Sequence, residues 1–535
     1  MRGADLVVQT LAEAGVKVIF SLSGNQIMPL YDACIDAGLR VIHTRHECAA
    51  VFMADAYAQI TGEVGIALVT AAPGFANALG GLYSARMAES PVVLLSGDSP
   101  LAQDGRRPFQ ELDQTAISAP LTKASLRSRR TDALGSDVAQ AIRTALSGRP
   151  GPVHLALPFD LVNGDAGSAT PPAAASMAPE RMPPDPEAVQ ALAQALAQAQ
   201  RPVVLTGPAL NGTRAGALLQ ELAAATAAPV VPMESPRGLN DPCLGAFKEI
   251  LATADLVVSL GKELDFTTGF ATPPAVAEDC RIMIVDPDGD VLERARRAAG
   301  ERLALAARGD APATARALAK AGRGGQRDGY ISEVERAIAA RIAVEDTGDD
   351  GALHPATLCA GVQKLMDEAD EAILVIDGGE FGQWAQAFLA GHPRIINGPS
   401  GAIGGALCYA VGAKIARPEA RVVALMGDGT IGFHLAEFET AKRCGADFLA
   451  VIGNDARWNA EYQIQLRDYG PGRTYACELS AARYDEAVAG LGGHGEHVGC
   501  ADGLEAALAR AAASGLPACV NVEIEGLAAP AAPAH

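Results

Sequence analysis

The chain alternates short apolar runs with alanine-rich amphipathic stretches along most of its length, and this alternation constrains the fold most strongly. Runs such as VGIALVT (64–70), PVVLLSG (91–97) and RIMIVD (281–286) have the length and the β-branched composition of buried strands. The stretches between them are long enough for helices. Strands that alternate with helices in this way indicate parallel sheets with helices on their faces. We therefore predict an α/β protein.

Two breaks in composition divide the chain into three parts. Residues 163–188 are rich in Pro and Ala and are typical of a linker, and residues 337–358 contain an acidic, Gly-containing break. A chain of 535 residues has enough length for several domains, each with its own core. We predict domains over residues 1–164, 186–335 and 352–525, each a parallel sheet with flanking helices.

Charge and cysteine usage bound the partners and the compartment. The formal net charge is −20, which argues against a nucleic-acid partner because such binding needs clustered Lys and Arg. The 10 Cys are scattered without CxxC or a zinc-binding spacing, as in a reducing compartment. The start of the chain lacks a signal-peptide pattern, and no apolar run reaches the roughly 18 residues that span a bilayer. We expect a cytoplasmic protein with no nucleic-acid or membrane partner.

Two successive strand-like runs near the carboxyl-terminal end are each followed by an acidic residue. VVALM (422–426) precedes Asp428, and FLAVI (448–452) precedes Asp455. Ligands of open α/β sheets bind beyond the carboxyl ends of the strands, so neighbouring strands would bring the two carboxylates together there. Two adjacent carboxylates repel each other unless a cation lies between them. Oxygen ligands of this kind favour Mg²⁺ or Ca²⁺.

The residues between these runs suit a phosphate. We predict a strand over 421–426, an exit turn over 427–430 and a helix over 433–443. The amides of Gly429 and Thr430 at the helix start would then face an anion. Either Asp alone is explained by an ordinary turn or cap role. The pair after two buried strands favours a metal held between protein carboxylates and a phosphorylated ligand.

The stretch GDGTIGFHLAEFETAKRCGADFLAVIGND (427–455) resembles the thiamine-diphosphate motif of the pyruvate-decarboxylase and acetolactate-synthase superfamily. The resemblance implies pyrimidine-binding, middle and diphosphate-binding domains, with thiamine diphosphate and Mg²⁺ as cofactors. It implies that Mg²⁺ is bound by Asp428, Asp455 and the backbone carbonyl of Arg457. Most relatives have Asn at the second position. The Gly-Asn-Asp form present here is similar to the 2-hydroxyacyl-CoA lyase branch.

The first domain contains a matching acid. Glu47 follows a predicted strand and opens a predicted helix in VIHTRHECAAVFMADAYAQITG (41–62). Without other signals, a Glu at a helix start is a surface residue stabilised by the helix dipole. By resemblance it is catalytic: it hydrogen-bonds N1′ of the aminopyrimidine, so that the cofactor's amino group can take the proton from the thiazolium C2. In this superfamily the cofactor lies between two subunits, which implies a homodimer or homotetramer.

Further cofactor contacts follow from the resemblance. The segment 397–416 resembles the part of the family that holds the two rings, with the Gly401 carbonyl on the amine and Ile403 beneath the rings. The segment 377–385 matches the turn whose backbone amides contact the diphosphate, and we expect the Glu380 side chain to point away from it. The predicted cofactor-binding residues are Gly379, Glu380, Phe381, Gly401, Ile403, Gly427, Gly429 and Thr430.

Positions that face the substrate are predicted by resemblance to acetolactate synthase and benzaldehyde lyase. The predicted pocket residues are Asn25, Gln26, Gln110, Gln114, Trp458, Ala460 and Ile464. The adjacent His pair of the pyruvate-decarboxylase branch is absent, and amides stand where that branch uses imidazoles. This favours carboligation or lyase chemistry over decarboxylation to an aldehyde.

The resemblance therefore predicts an enzyme that forms or cleaves C–C bonds in small carbonyl substrates, either 2-keto acids or 2-hydroxy ketones. A 2-hydroxyacyl-CoA lyase or an oxalyl-CoA-type decarboxylase is an alternative, and a non-catalytic α/β binding protein is an alternative of another class. The middle segment has no GxGxxG, and GKELDF (261–266) lacks the Arg of the usual Gly-Ala-Arg pattern. Both features argue against FAD.

Overall fold

The computed structural model describes residues 1–322, 324–340, 352–391 and 393–530. These residues form three sheets, in each of which all neighbouring strands are parallel and helices flank the strands. The predicted α/β fold with three parallel sheets is confirmed. The predicted acidic break at 337–358 lies partly outside the described residues. No helix in the described ranges is long and apolar enough to cross a bilayer.

The amino-terminal domain has a six-stranded sheet. Its strands are β1 (Val18–Ser21), β2 (Arg40–His43), β3 (Gly65–Val69), β4 (Val92–Asp98), β5 (Ala124–Arg127) and β6 (Val153–Pro158). Its helices are α1 (Gly3–Glu13), α2 (Met28–Ala37), α3 (Glu47–Thr61), α4 (Pro73–Met87), α5 (Gln114–Ser118), α6 (Leu134–Leu146) and α7 (Phe159–Asn163). The strand order is β2-β1-β3-β4-β6-β5. Strands β3 and β4 are buried throughout because helices cover both faces.

The middle domain has a five-stranded sheet. Its strands are β7 (Pro202–Thr206), β8 (Val230–Pro232), β9 (Leu256–Leu260), β10 (Arg281–Asp286) and β11 (Leu303–Arg308), in the order β11-β10-β9-β7-β8. Its helices are α8 (Pro186–Gln198), α9 (Gly212–Thr226), α10 (Phe247–Ala252), α11 (Gly289–Ala299), α12 (Ala311–Ala321) and α13 (Asp328–Ala339). Separate apolar clusters lie on the two faces of this sheet.

The carboxyl-terminal domain repeats the strand order of the first. Its strands are β12 (Ala372–Ile376), β13 (Arg394–Ile396), β14 (Arg421–Gly427), β15 (Leu449–Asn454), β16 (His494–Val498) and β17 (Ala518–Glu523), in the order β13-β12-β14-β15-β17-β16. Its helices are α14 (Pro355–Asp367), α15 (Gly379–Phe388), α16 (Ala406–Ala416), α17 (Asp428–Ile431), α18 (Glu437–Cys444), α19 (Asn459–Tyr469), α20 (Tyr484–Gly490) and α21 (Leu504–Ala513).

The helix expected after the GDG turn differs in the structure. The predicted exit turn already contains a short helix, α17, and the predicted helix at 433–443 begins only at Glu437. At this break the Phe433 ring packs over Gly404, where an added Cβ would lie 2.4 Å from Cγ of Phe433. Residues between the two helices form turns closed by bonds such as Phe433 N–H to Thr430 O (3.2 Å).

The first and third domains share one apolar core, which is formed where α3 packs on α16. The rings of Phe52 and Tyr409 meet edge to face, with their centroids 5.2 Å apart. A Cβ on Gly412 would lie 2.4 Å from the Met53 carbonyl oxygen, so only glycine permits this close approach of the helices. The helix that begins at Glu47 is thus fixed against the domain that contains the GDG motif.

Buried ion pairs attach the middle domain to both neighbours. Arg149 pairs with Glu89 of the first domain and with Asp286 of the middle domain. Arg394 of the third domain pairs with Glu234 of the middle domain at 2.6 Å. Charges this deeply buried require such partners. These contacts bring the loop after Glu234 to the edge of the third sheet.

Candidate functional site

Asp428 and Asp455 lie side by side at the carboxyl edge of the third sheet. Strands β14 and β15 are neighbours, with Gly427 opposite Gly453. Asp428 is the first residue after β14, and Asp455 follows the end of β15 directly. The two acids therefore leave neighbouring strands at the same edge of the sheet, with Asp455 one residue further beyond the paired glycines than Asp428.

The electrostatics of the pair favour a bound cation. Burial raises the pKa of Asp428 to about 6. Burial, and then the negative charge of Asp428, raise the pKa of Asp455 to about 7. Among the described residues, Oδ2 of Asp428 has no hydrogen-bond partner. Two adjacent, desolvated carboxyl groups with an unused oxygen fit a hard divalent cation, which would favour their ionised forms.

The backbone of Arg457 faces the same point. Arg457 pairs with Glu478 in an isolated antiparallel bridge, whose two hydrogen bonds use the carbonyl of Ala456 (2.7 Å) and the N–H of Trp458 (2.7 Å). The backbone groups of Arg457 itself therefore point to the other side. There its N–H lowers the pKa of both Asp428 and Asp455.

A cavity of about 340 Å³ opens beside the two carboxyl groups. Its walls come from the third domain, with a contribution from the middle-domain loop at Pro236 and Arg237. It is lined by all of the predicted cofactor, metal and pocket residues of the third domain: Gly379, Glu380, Phe381, Gly401, Ile403, Gly427, Asp428, Gly429, Thr430, Asp455, Arg457, Trp458, Ala460 and Ile464. Segments far apart in the sequence thus converge on one concave surface.

Asp377 ties two of these segments together. Its Oδ1 accepts the N–H groups of Gly378 (2.7 Å) and Gly404 (2.9 Å), and its Oδ2 accepts the N–H of Ala406 (3.1 Å). Burial raises the pKa of Asp377 to about 6, and the backbone hydrogen bonds lower it. This carboxyl group therefore holds the loop containing Gly401 against the start of α15.

Gly379 has a left-handed backbone, with φ of +85°, and a Cβ there would meet nothing within 4 Å. It therefore exposes its backbone to the cavity without a side chain. The next residue, Glu380, is turned aside as expected. Its Oε1 accepts the N–H of Ala529 (2.6 Å), and its Oε2 accepts Nε2 of Gln383 (2.8 Å). The turn that the resemblance assigns to the diphosphate thus turns backbone atoms, and not the Glu380 carboxylate, toward the cavity.

A second group lies at the carboxyl edge of the first sheet, around Glu47. Glu47 is the first residue of α3 and is 7% exposed. Its Oε2 accepts Nδ2 of Asn77 on α4 (3.0 Å). A Cβ on Gly74 would lie 3.3 Å from Oε1 of Glu47 and 2.7 Å from Cγ2 of Thr70. The strand β3 exit therefore packs closely against the Glu47 carboxyl.

Two of the predicted pocket amides join this edge of the first sheet. Gln26 accepts the Thr70 hydroxyl at Oε1 (2.8 Å) and donates from Nε2 to Oε1 of Gln110 (2.7 Å). Asn25 is exposed beside Gln26. Gln114 lies elsewhere, because its Nε2 donates to the Gly97 carbonyl (3.0 Å) and it lines a separate cavity.

The chain is similar to a known protein family and to several curated proteins. Residues 1–117, 189–318 and 377–522 match the models described as thiamine pyrophosphate enzyme N-terminal TPP binding, central and C-terminal TPP binding domains. A probable acetolactate synthase of Mycobacterium bovis is 33% identical over 98% of this chain and 95% of its own length. 2-Hydroxyacyl-CoA lyase 2 of Bos taurus is 31% identical over 92% and 84%. A catabolic acetolactate synthase of Raoultella terrigena is 29% identical over 98% and 95%.

The chain belongs to the thiamine pyrophosphate enzyme family. It is therefore a thiamine pyrophosphate-dependent enzyme that catalyses reactions at C–C bonds. Thiamine pyrophosphate and thiamine diphosphate are two names for the same cofactor. The carboxylate pair and its cavity lie in the part that matches the C-terminal TPP binding domain, and Glu47 lies in the part that matches the N-terminal one.

The structure adds residues to this thiamine pyrophosphate enzyme's site that the sequence did not indicate. Asp377 accepts hydrogen bonds from backbone N–H groups, and Asn77 donates one to the side chain of Glu47. The position of Asp377 directly before a Gly-Gly pair is a sequence signal that could have identified it. Arg237 lines the cavity from the middle domain. Partial desolvation lowers its pKa, and the charge of Glu380 raises it. No local motif marks Arg237, because its position depends on contact between domains.

Proposed function

We propose that this protein is a thiamine diphosphate- and Mg²⁺-dependent carboligase or lyase acting on 2-keto acids or 2-hydroxy ketones. The observation that carries the proposal is the adjacent pair of buried Asp428 and half-buried Asp455, at a cavity that Gly401 and Ile403 also line. The similarity to proteins named acetolactate synthase supports the carboligase assignment.

Asp428, Asp455 and the backbone carbonyl of Arg457 would hold Mg²⁺. A cation bound to few protein oxygens keeps positions for phosphate oxygens, which is how Mg²⁺ commonly binds. The backbone of Gly379, Glu380 and Phe381 would contact the other side of the diphosphate. Two observations support this assignment. The Oδ2 atom of Asp428 has no hydrogen-bond partner among the described residues, and the pKa values of both acids are raised.

Thiamine diphosphate, when bound, supplies a nucleophilic carbon that adds to a carbonyl and an electron sink for the cleaved bond. The protein positions and protects this centre. Ile403 is branched at Cβ and therefore stiff, which suits a side chain that supports the rings from below. Gly401, with φ of +65°, would direct its carbonyl to the pyrimidine amine.

Glu47 would hold a proton at N1′ of the pyrimidine and thereby activate the cofactor. The cavity walls come from the middle and third domains, whereas Glu47 is on the first domain. We therefore propose that the first domain of a second subunit completes the site, so that a homodimer is the smallest active unit and a homotetramer contains two of them. Exclusion of water from the site between the two subunits would keep the proton on this path.

Substrate recognition would combine amides with a cation. Gln26 and Gln110 are already hydrogen-bonded to each other, so they present a fixed edge of donors and acceptors. Arg237 lines the cavity and suits the carboxylate of a 2-keto acid. A 2-hydroxyacyl-CoA lyase is the second candidate, favoured by Asp455 in the Gly-Asn-Asp sequence and by the similarity to 2-hydroxyacyl-CoA lyase 2.

One turnover assay separates these functions. The purified protein with thiamine diphosphate and Mg²⁺ is given pyruvate, benzoin-type ketols or 2-hydroxyacyl-CoAs, and kcat/KM is compared. We expect the highest value with a 2-keto acid or a ketol. Exclusive turnover of the CoA esters would instead establish the second candidate. A yellow chromophore that stays bound through purification would contradict the expected absence of FAD.

A further inference from the structure

Helix α18 of the third domain runs along the turn that precedes Glu47 in the first domain. Arg443 donates from Nη2 to the carbonyl of His43 (2.7 Å), and Arg40 donates from Nη2 to the carbonyl of Cys444 (2.6 Å). The first of these bonds joins residues 400 positions apart. The turn between β2 and α3 is therefore shaped by both domains.

Glu437, the first residue of α18, makes the innermost contact. Its Oε1 accepts the backbone N–H of Arg45 (2.9 Å) and that of His46 (3.1 Å). The side chain is 1% exposed. Hydrogen bonds to a carboxylate are stronger than neutral ones, and removing a buried acceptor leaves the two donors unpaired. Glu437 thus fixes the backbone of the two residues immediately before Glu47.

This fixed backbone sets the first turn of α3. The His46 side chain caps the helix, with Nδ1 accepting the N–H of Cys48 (3.1 Å). The Glu47 carboxyl is held at its far end by Asn77 (3.0 Å). Glu47 is therefore constrained from two directions, by α4 at its side chain and by Glu437 through its backbone. A small rotation of this turn would swing the carboxyl away from Asn77.

We propose that Glu437 is a positioning residue that sets the direction of the Glu47 carboxyl toward the cofactor. This inference rests on the function proposed for Glu47. Glu437 and Asp428 belong to one continuous segment, α17 to α18, so the segment that contains the metal ligand also orients the acid on the other domain. Misplacement of a catalytic group by about 1 Å can cost about 100-fold in rate.

The test uses the holoenzyme with substitutions that change only the reach or the acceptor of this side chain. Glu437→Asp is one methylene too short to reach both N–H groups, and Glu437→Gln keeps an acceptor oxygen at the same reach. The readouts are proton–deuterium exchange at C2 of the bound cofactor, kcat, KM and the Kd for thiamine diphosphate. For Glu437→Asp we expect exchange and kcat to fall about 10- to 100-fold, with KM and Kd within about twofold. Glu437→Gln should retain most of both rates.

Lys442→Gln is the control, because Lys442 lies on the same helix and its side chain is exposed. It should behave as wild type. Wild-type exchange in Glu437→Asp overturns the proposal, as does a loss that follows weakened cofactor binding alone. If Glu47→Gln itself keeps normal exchange, the function proposed for Glu47 fails instead.

Discussion

The first and third domains have the same strand order but carry different chemistry at the same edge of their sheets. In both, the second strand of the domain is at the sheet edge and the third and fourth are central. In the third domain the central strands β14 and β15 are directly followed by Asp428 and Asp455. In the first domain the corresponding strand β3 is followed by Thr70, and the acid, Glu47, follows the edge strand β2.

Under the proposed function, this difference lets one fold supply two halves of a site. The central position of Asp428 and Asp455 brings their carboxyl groups together in a desolvated place. Burial raises the pKa of both, and the charge of Asp428 raises the pKa of Asp455 further, which suits a bound cation. The Glu47 carboxyl instead accepts a hydrogen bond from Asn77 (3.0 Å) and lies beside Gly74, both of which are uncharged. A lone carboxyl suits proton transfer, whereas a close pair suits a metal.

The largest expected effect tests this division of roles. Asp428→Asn should abolish Mg²⁺-dependent binding of thiamine diphosphate and with it activity. Glu47→Gln should lower kcat by about 100- to 10,000-fold while cofactor binding persists, because only proton transfer is lost. Calorimetric titration with the cofactor, together with kcat, checks both variants. Equal loss of cofactor binding in the two would show that the domains do not divide the work in this way.

The pH dependence of stability gives an intermediate effect. The pKa values of Asp428 and Asp455 are raised to about 6 and about 7 in the fold from 3.8, so the protonated forms stabilise the cofactor-free protein at low pH. That contribution is lost as the pH rises through these values. Metal binding needs the ionised forms. We expect the rise in unfolding temperature produced by Mg²⁺ and thiamine diphosphate to be larger at about pH 8 than at about pH 5.

Thermal unfolding with and without both ligands measures this difference. Asp428→Asn is the control, because it should not bind the cofactor and should therefore show no rise in unfolding temperature with the ligands at either pH. A stabilisation by the ligands that is greatest at the acidic end would contradict the assignment of these acids to the metal.

The smallest expected effect concerns the amides of the first domain. Gln26→Ala should raise KM for the carbonyl substrate about 3- to 10-fold, the value of one hydrogen bond. Gln114→Ala should leave KM unchanged, because Gln114 is bonded to the Gly97 carbonyl, away from Gln26. Steady-state kinetics on the preferred substrate compares the two. A larger KM change in Gln114→Ala than in Gln26→Ala would place the substrate on the other side of Gly97.

The sequence predicts those features of the fold and the site that depend on neighbouring residues, and it does not predict those that depend on contacts between distant segments. Strand β14 and the acids after β14 and β15 were predictable, because apolar runs and turn residues are local signals. The late start of α18 was not, since the residues before it form turns and place Phe433 over Gly404, a contact between segments that no local pattern marks. The separation of Gln114 from Gln26 was not predictable either, because Gly97 of β4 lies between them. Gln114 donates to the Gly97 carbonyl, and a Cβ added to Gly97 would lie 2.7 Å from Cβ of Gln26.

The sequence by itself determined the α/β class, the family resemblance and the presence of acids after particular strands, since these depend on residue type and spacing. Only the tertiary structure decided that Arg237 enters the cavity, that Asp377 ties two loops together and that Glu437 reaches the turn before Glu47. These contacts join residues from different elements, and two of the three join different domains. Their geometry is set by how helices and sheets pack, which no local pattern of residues encodes.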